Sequence, residues 1–543
     1  MEKTINKPWM QWYGKENSST LLPESSVYAL LENAVKSFPD HTAIIFKDEQ
    51  LDYKTLKSQV DKLAGKWKEI GLEKGERIGL MMANHPLYII SYYAAQALGL
   101  TVVQVNPLYT FRELMKIVAD SRLQFIVFDK LAKKTIGKVK EVYPFEQCFT
   151  TENNDSEFTT LQSLIEKGTA IKEPEDIDPH EDVAVIQYTG GTSGEMKGAM
   201  LTHYNLTSNV VQSFAMYGET MKKGREVILT ATPLYHVYAM TSAMNLGIHI
   251  GATILLFPKF DIQNVLDSVQ KFRPTFFPGV PKMYNAFINY PDIEKYDLSC
   301  LNQCSCGSAP LPIEVIKRFE ELTGGAIGEG FGLSEASPST HRNPPFAKRK
   351  VGSIGIPLPE TDCMIVDEYD DALGTNSVGE LLIKGPQIMK GYWNSDEETK
   401  KAMQNGWLYT GDLAMMDEEG YFYIVGRKKE MIIVGGFNIY PQEVESVLYE
   451  HPDIQEAAVA SIPSGEFEET IKAFIVPKEG VTIDTEEIKG YCYSKLTPYK
   501  VPKEFEVIDE LPRNTVGKLL KRILVKEEME KNNQKKGMKL NGE

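Results

Sequence analysis

The chain has little cysteine, little tryptophan and no long unbroken apolar run. Its six cysteines in 543 residues are Cys148, Cys300, Cys304, Cys306, Cys363 and Cys492. Three fall close together, but no histidine or fourth cysteine stands at ligand spacing beside them. A structural zinc site is therefore set aside, and scattered reduced thiols of a cytosolic protein are the better reading. The most apolar stretch, residues 87–105, is broken by Ser91, Gln96, Gly99, Thr101 and Gln104. It reads as a buried helix followed by a strand, not as a membrane span. Residues 1–12 lack an apolar core followed by a cleavage site, so no signal peptide is read. Basic charge is also short, with a formal net charge of -16. Such a surface repels phosphate backbones and anionic lipid over most of its area, which argues against nucleic acid as a partner but leaves room for a local polyphosphate site. No internal repeat is visible.

What is present is a large core and one conspicuous loop. Hydrophobic residues make up 42% and charged residues 25%, enough for several packed units. The run Tyr188-Thr189-Gly190-Gly191-Thr192-Ser193-Gly194-Glu195-Met196-Lys197-Gly198 follows an alternating apolar lead-in, Val183, Val185 and Ile186, that reads as a strand. Glycines let backbone N–H groups approach an anion, hydroxyls add donors, and lysine adds a point charge. A nucleotide-hydrolysing P-loop needs glycine before the lysine and Ser or Thr after it; here Met196 precedes Lys197 and Gly198 follows. Taken alone, the loop fits either a polyphosphate cradle or a mobile surface loop rich in small residues.

Helical and strand-like segments alternate through about residue 340, including strands at 43–46, 77–82 and 125–128 and a helix at 53–69. The first helix begins after Ser25 and Ser26, which can cap it. This alternation predicts an α/β fold: a large N-terminal domain of layered, mostly parallel sheets with helices. Residues 351–423 are richer in short strands and Gly/Pro turns and fit a small β-barrel-like piece. From Pro441 the pattern changes to a small α+β domain, with helices near 442–449 and 485–495 and strands near 457–462, 471–476 and 504–507. We expect an N-terminal domain over 1–427, a C-terminal domain over 428–526, and a tail over 527–543 that is polar, charged and disordered.

Further segments carry chemistry. Glu329-Gly330-Phe331-Gly332-Leu333-Ser334-Glu335 is a glycine-interrupted turn with an aromatic that can cover a base and carboxylates that a divalent cation could bridge to phosphate. By itself it fits an ordinary helix-start turn better. Gly307-Ser308-Ala309-Pro310 is a tight turn open to a flat ligand. Asp412, in Tyr409-Thr410-Gly411-Asp412, can accept from sugar hydroxyls. Gly426-Arg427-Lys428-Lys429-Glu430 is a charge run that also fits a solvated face. Lys518 ends a glycine turn, Pro512–Lys518, just before an amphipathic C-terminal helix.

In this order, these segments resemble the adenylate-forming superfamily of acyl-CoA synthetases, peptide-synthetase adenylation domains and firefly-type luciferases, from about Ser25 to Arg522. Within it the wording is most similar to bacterial long-chain fatty acid–CoA ligases: the run 187–191, Asn106-Pro107-Leu108-Tyr109-Thr110, Pro233-Leu234-Tyr235-His236-Val237-Tyr238, Gly332–Pro338 and Gly435–Pro441. The resemblance implies a two-step reaction. A carboxylate attacks the α-phosphate of MgATP to give acyl-AMP and pyrophosphate; coenzyme A then takes the acyl group and AMP leaves. It implies that the loop with Thr189, Gly190, Gly191, Thr192, Ser193, Gly194 and Lys197 holds phosphates, and that Thr192 and Glu335 bind Mg²⁺. Ser308, Ala309, Phe331 and Gly332 would bind adenine, and Gly307, Glu329, Gly330 and Ser334 would belong to the same ATP site. Asp412 and Arg427 would contact ribose, and Lys518 would bridge carboxylate and α-phosphate. His236, Val237, Pro278, Gly279, Val280 and Gly307 would line the acyl pocket. Gly435, Gly436 and Phe437 would shape the coenzyme A channel once the C-terminal domain rotates about a hinge at Lys429.

The chain departs from the family at Met196, where proline is usual, at Ser193, where a second threonine is common, and at Ser334, where threonine is usual. Ile433 replaces a lysine of many aryl-CoA ligases, which suits a fatty acid. Three readings follow: a fatty acid–CoA ligase; an adenylating enzyme that passes its acyl group to a carrier protein, or one acting on an aryl acid; and a non-catalytic sensor, against which Glu335 and Lys518 argue. A cytoplasmic location is expected. Homodimer formation, chain-length preference and contact with the inner face of the membrane stay open.

Overall fold

The computed structural model describes residues 6–13, 20–190, 196–345, 347–434, 437–464, 468–513 and 519–540. The chain divides into two compact units, one of Ile5–Cys363 and Ile383–Leu408, the other built mainly from Met364–Leu382 and Tyr409–Glu543. Each has its own sheets.

The larger unit carries an eight-stranded and a nine-stranded sheet. In the eight-stranded sheet Val183–Gly190, Thr101–Gln104, Arg77–Met81, Phe125–Phe128, Gln147–Thr150 and Thr159–Thr160 are parallel in that spatial order. Short, wholly buried strands such as Phe125–Phe128 are what a sheet covered on both faces requires. The connecting helices lay Leu114, Ile117, Ile136 and Val139 against Val103, Ile126 and Ile186. The nine-stranded sheet has a parallel centre, Ala326–Gly332, Gln303–Cys306, Phe276–Gly279, Val227–Thr230, Thr253–Leu256 and Thr42–Phe46, with antiparallel strands at both edges. Its core packs Leu229, Phe277, Cys304 and Ile327 against Val265, Phe287 and Phe319.

Helix starts follow local chemistry. Asp52 accepts from the Thr55 N–H at 2.7 Å and opens Tyr53–Glu69. Thr110 and Glu113 form a capping box for Phe111–Ser121. The first helix, Tyr28–Ser37, differs from expectation: Val27, not a serine, is its N-cap and supplies no side-chain cap bond. Its N–H instead donates to Nδ1 of buried His203 at 3.1 Å. A tertiary partner thus satisfies a group that local sequence would leave to serine.

In the smaller unit, Ile454–Ser464 and Glu468–Pro477 form an antiparallel pair, with Glu504–Val507 parallel to the second. Helices Pro441–Tyr449 and Thr485–Lys495 bury Val444, Leu448, Ile488 and Cys492 against Val459, Ala473 and Ile475. A sheet of Asp362–Val366, Val378–Lys384, Trp407–Met416 and Phe422–Arg427 belongs in most of its residues to this unit. The last helix runs Lys521–Leu540, through most of the stretch that reads as a tail. Among the described residues no helix is long and apolar enough to cross a membrane.

Candidate active site

The glycine-rich loop is the tip of an antiparallel hairpin. Val183–Gly190 pairs with Met196–Thr202, placing Thr189 opposite Lys197 and Gly190 opposite Met196. A strand, not a helix, therefore follows the loop. The helix N-terminus that completes a P-loop phosphate site is absent from this hairpin, in agreement with the register of Met196 and Gly198. Gly191, Thr192, Ser193 and Gly194 lie outside the described residues. Met196 heads the returning strand and packs on the same core as Ile117 and Ile126, so this departure from proline is anchored by burial. Gly198 is required by close approach: a Cβ there would stand 2.6 Å from Cγ2 of Ile186.

Glu335 lies in the turn Ser334–Ala336 beyond the strand Ala326–Gly332. Its Oε1 accepts from the Tyr392 hydroxyl at 2.7 Å, and its backbone carbonyl accepts from the Met389 N–H at 2.8 Å. Burial, then the Glu335 charge, pushes the Tyr392 phenol well above its ordinary range, so it stays a donor. Lys197 Nζ stands 5.3 Å from the centroid of the same ring and is ion-paired with Glu398. Lys197 and then Lys401 hold the Glu398 carboxyl down at about 2. Among the described residues Oε2 of Glu335 accepts no hydrogen bond, and no cluster of three or more His, Cys, Asp or Glu could cage a metal. A carboxylate oxygen that would share Mg²⁺ with substrate phosphates and water is a donor that fits this ion.

The remaining predicted residues of this unit gather at the carboxyl ends of parallel strands, where open α/β sheets bind ligands. Pro278 and Gly279 end one strand, and Gly307, Ser308 and Ala309 follow the next. The Gly307 N–H donates to the Gly279 carbonyl at 3.2 Å. A Cβ on Gly307 would meet the Tyr238 ring at 2.8 Å, so only glycine fits without movement. Tyr238 follows His236 and Val237 in sequence, and its hydroxyl lies 2.9 Å from Ser305 Oγ. His236 Nδ1 accepts from the Tyr238 N–H at 3.3 Å, opening a short helix that continues as a π-helix, Met240–Asn245. Val280 is buried at the start of Pro281–Ile288. Ser308 has φ of +69°, a conformation that costs a non-glycine residue energy and recurs at functional sites.

Glu329, Gly330, Phe331 and Gly332 form the end of their strand, with Phe331 opposite His341. Burial pushes the Glu329 carboxyl up to about 7, although its Oε2 accepts from the Gly352 N–H at 2.9 Å. The six cysteines are buried and free; burial raises the Cys304 and Cys306 thiols, which keeps them protonated.

The smaller unit carries Asp412 and Arg427 on paired strands, directly opposite one another, with Nε 2.9 Å from Oδ1. Asp412 is buried, and its carboxylate holds the partly exposed Arg427 guanidinium. Lys429 sits in the single turn Lys428–Glu430, between that strand and the hairpin Ile432–Val434/Phe437–Ile439. Phe437 opens the second arm opposite Val434; Gly435, Gly436 and Lys518 lie outside the described residues. Tyr392 and Glu398 were not legible as site residues.

The sequence model for AMP-binding enzymes matches residues 31–393, and that for the AMP-binding enzyme C-terminal domain matches residues 443–518. A long-chain-fatty-acid–CoA ligase of Bacillus subtilis (strain 168) is 43% identical, over 96% of this chain and 98% of its own length. One of Escherichia coli O157:H7 is 36% identical over the same shares. Among solved structures, ATP-bound MatB from Rhodopseudomonas palustris superposes with a TM-score of 0.85 at 28% identity, covering 93% of this chain and 99% of MatB. The anthranilate CoA ligase AuaEII in complex with anthranoyl-AMP does so with a TM-score of 0.86 at 26% identity, covering 93% and 97%. The chain belongs to the AMP-binding enzyme family.

Proposed function

We propose that this enzyme is an AMP-forming fatty acid–CoA ligase. It activates a medium- or long-chain fatty acid as acyl-AMP, releases pyrophosphate, and passes the acyl group to coenzyme A. The observation that carries this reading is the near-full-length likeness to relatives that bear the long-chain ligase name. Exposed Ile433, in place of the lysine of many aryl-CoA ligases, supports the fatty-acid side.

A carboxylate and a triphosphate repel, so cations and donors must offset the charge where they meet. The hairpin loop, with Thr189 to Gly194 and Lys197, would hold the β- and γ-phosphates, the leaving group. Thr192 and Glu335 would hold Mg²⁺, which when bound neutralises phosphate charge. Phe331 and its neighbours at 307–309 and 329–334 would receive adenine, and Asp412 with Arg427 the ribose. Lys518 would stabilise charge on both the carboxylate and the α-phosphate. His236 acts here as a wall of the acyl entrance and helix cap, with no proton transfer assigned to it. Domain boundaries at 1–427 and 428–526, with a hinge at Lys429, would let the Gly435–Phe437 turn replace Lys518 for the second step.

The test is incubation with MgATP and a panel of carboxylic acids, with and without coenzyme A, following pyrophosphate, AMP and thioester. Fatty acids are expected to release pyrophosphate and, with coenzyme A, to give thioester and AMP. No pyrophosphate with any acid would sink the reading. Acyl-AMP that coenzyme A does not consume would favour delivery to a carrier protein instead.

A further inference from the structure

Glu335 and Lys197 come from distant parts of the chain, yet one short segment grips both. The strand Gly391–Tyr392 pairs antiparallel with the returning arm of the hairpin, Tyr392 opposite Ala199. Lys197 and Ala199 share a face of that arm, so the Tyr392 ring reaches diagonally to the lysine, 5.3 Å from centroid to Nζ. The phenol oxygen of the same side chain donates to Glu335 Oε1 at 2.7 Å. The segment's own backbone is pinned: the Tyr392 N–H donates to Thr399 Oγ1 at 2.8 Å, and Met389 holds the Glu335 carbonyl. Glu398, on the helix Asp396–Ala402 that follows, pairs with Lys197. Tyr392 has both its polar end and its aromatic face committed to two groups of opposite charge.

We propose that Tyr392 is a positioning residue that fixes the Glu335 carboxylate relative to the Lys197 ammonium, and so sets the Mg²⁺ requirement for ATP binding. The proposal rests on the reading of Glu335 as the metal-binding carboxylate and Lys197 as a phosphate-binding cation. Residues that orient metal ligands by hydrogen bonds typically change metal affinity by 10–100-fold when lost. A ring face beneath an ammonium contributes less, a few-fold in affinity.

The experiment is calorimetry on the full chain, titrating ATP at a series of Mg²⁺ concentrations and AMP without metal. Tyr392→Phe keeps the ring and removes the hydroxyl. It is expected to raise the Mg²⁺ concentration for half-maximal ATP affinity about tenfold while leaving AMP affinity unchanged. Tyr392→Leu is expected, in addition, to weaken metal-free pyrophosphate binding by about two- to fivefold. An unchanged Mg²⁺ midpoint in Tyr392→Phe overturns the proposal, as does an equal loss of AMP and ATP affinity, which marks a merely structural residue. Glu335→Gln separates the two levels. If it leaves the Mg²⁺ midpoint unmoved, the reading of Glu335 fails and the proposal with it. If it raises the midpoint while Tyr392→Phe does not, the proposal alone fails.

Discussion

Glu329 is a site carboxyl that burial pushes up. It is mostly enclosed at the end of its strand, and burial raises its carboxyl from 4.5 to about 7. A raised carboxyl means that the folded protein holds this proton more tightly than the unfolded chain. The stabilisation from that proton is fully present below about 4.5 and is lost as pH rises through about 7. Glu329→Gln removes the ionisation while keeping a side chain that can accept from Gly352. Its melting temperature relative to the parent is therefore expected to rise between about pH 5 and pH 8, by roughly 1 °C for about 1 kcal/mol in a unit of this size. Melting curves across that range check this. A constant difference at all pH values would show that Glu329 ionises as freely in the folded state as in the unfolded one.

The final helix, Lys521–Leu540, is held both by Leu524, buried against Phe474 and Leu511, and by charge. Lys472, buried on the strand Glu468–Pro477, pairs with Glu506 at 2.7 Å and with buried Glu528 of the helix at 2.8 Å. Burial alone would lower the lysine's pKa, but the two carboxylates outweigh it and the group stays charged. Lys472→Ala leaves enclosed Glu528 with only the half-exposed Lys531, 3.6 Å away. Breaking a buried pair in this way costs about 3–5 kcal/mol, read as earlier denaturant unfolding of the C-terminal region; a loss under about 0.5 kcal/mol would mean that the pair is effectively exposed. This helix also marks where sequence reading stops. An amphipathic start is legible after Lys518, but residues 527–543 have few apolar residues among many charges, so that stretch reads as a tail. Tyr53–Glu69 and Thr485–Lys495, by contrast, are legible at the bounds the structure gives, because a cap and periodic apolar residues agree. The glycine-rich loop is legible as one with the wrong register for a P-loop, and a strand rather than a helix does follow it. That returning strand was not legible, because Met196 to Thr202 mixes glycine, lysine and apolar residues without clean alternation. Tyr392 and Glu398 were hidden for a different reason. Glu398 lies 201 residues from Lys197, and only the pairing of Gly391–Tyr392 with the hairpin brings them together. No local pattern encodes that contact, whereas Glu335, Asp412 and Arg427 sit inside short motifs that can be read where they stand.

At the scale of the whole molecule, an acidic chain of net charge -16 must bind two anionic substrates and a polyphosphate nucleotide. It does so, on this account, by concentrating cations and donors where substrate charges meet and by dividing the work into two steps. In the first step the fatty acid's own carboxylate oxygen would attack the α-phosphate. In that step a new O–P bond forms, the bond to the bridging oxygen of pyrophosphate breaks, and the acyl carbon stays bonded to the attacking oxygen. Attack by the coenzyme A thiolate then breaks the acyl C–O bond, so the oxygen departs with AMP. The most direct measurement is mass spectrometry of the products formed from a fatty acid labelled with heavy oxygen in both carboxylate positions, in the presence of MgATP and coenzyme A. A single heavy oxygen is expected in AMP, the other in the thioester carbonyl, and none in pyrophosphate. Heavy oxygen in pyrophosphate or inorganic phosphate, or unlabelled AMP alongside thioester, would contradict it.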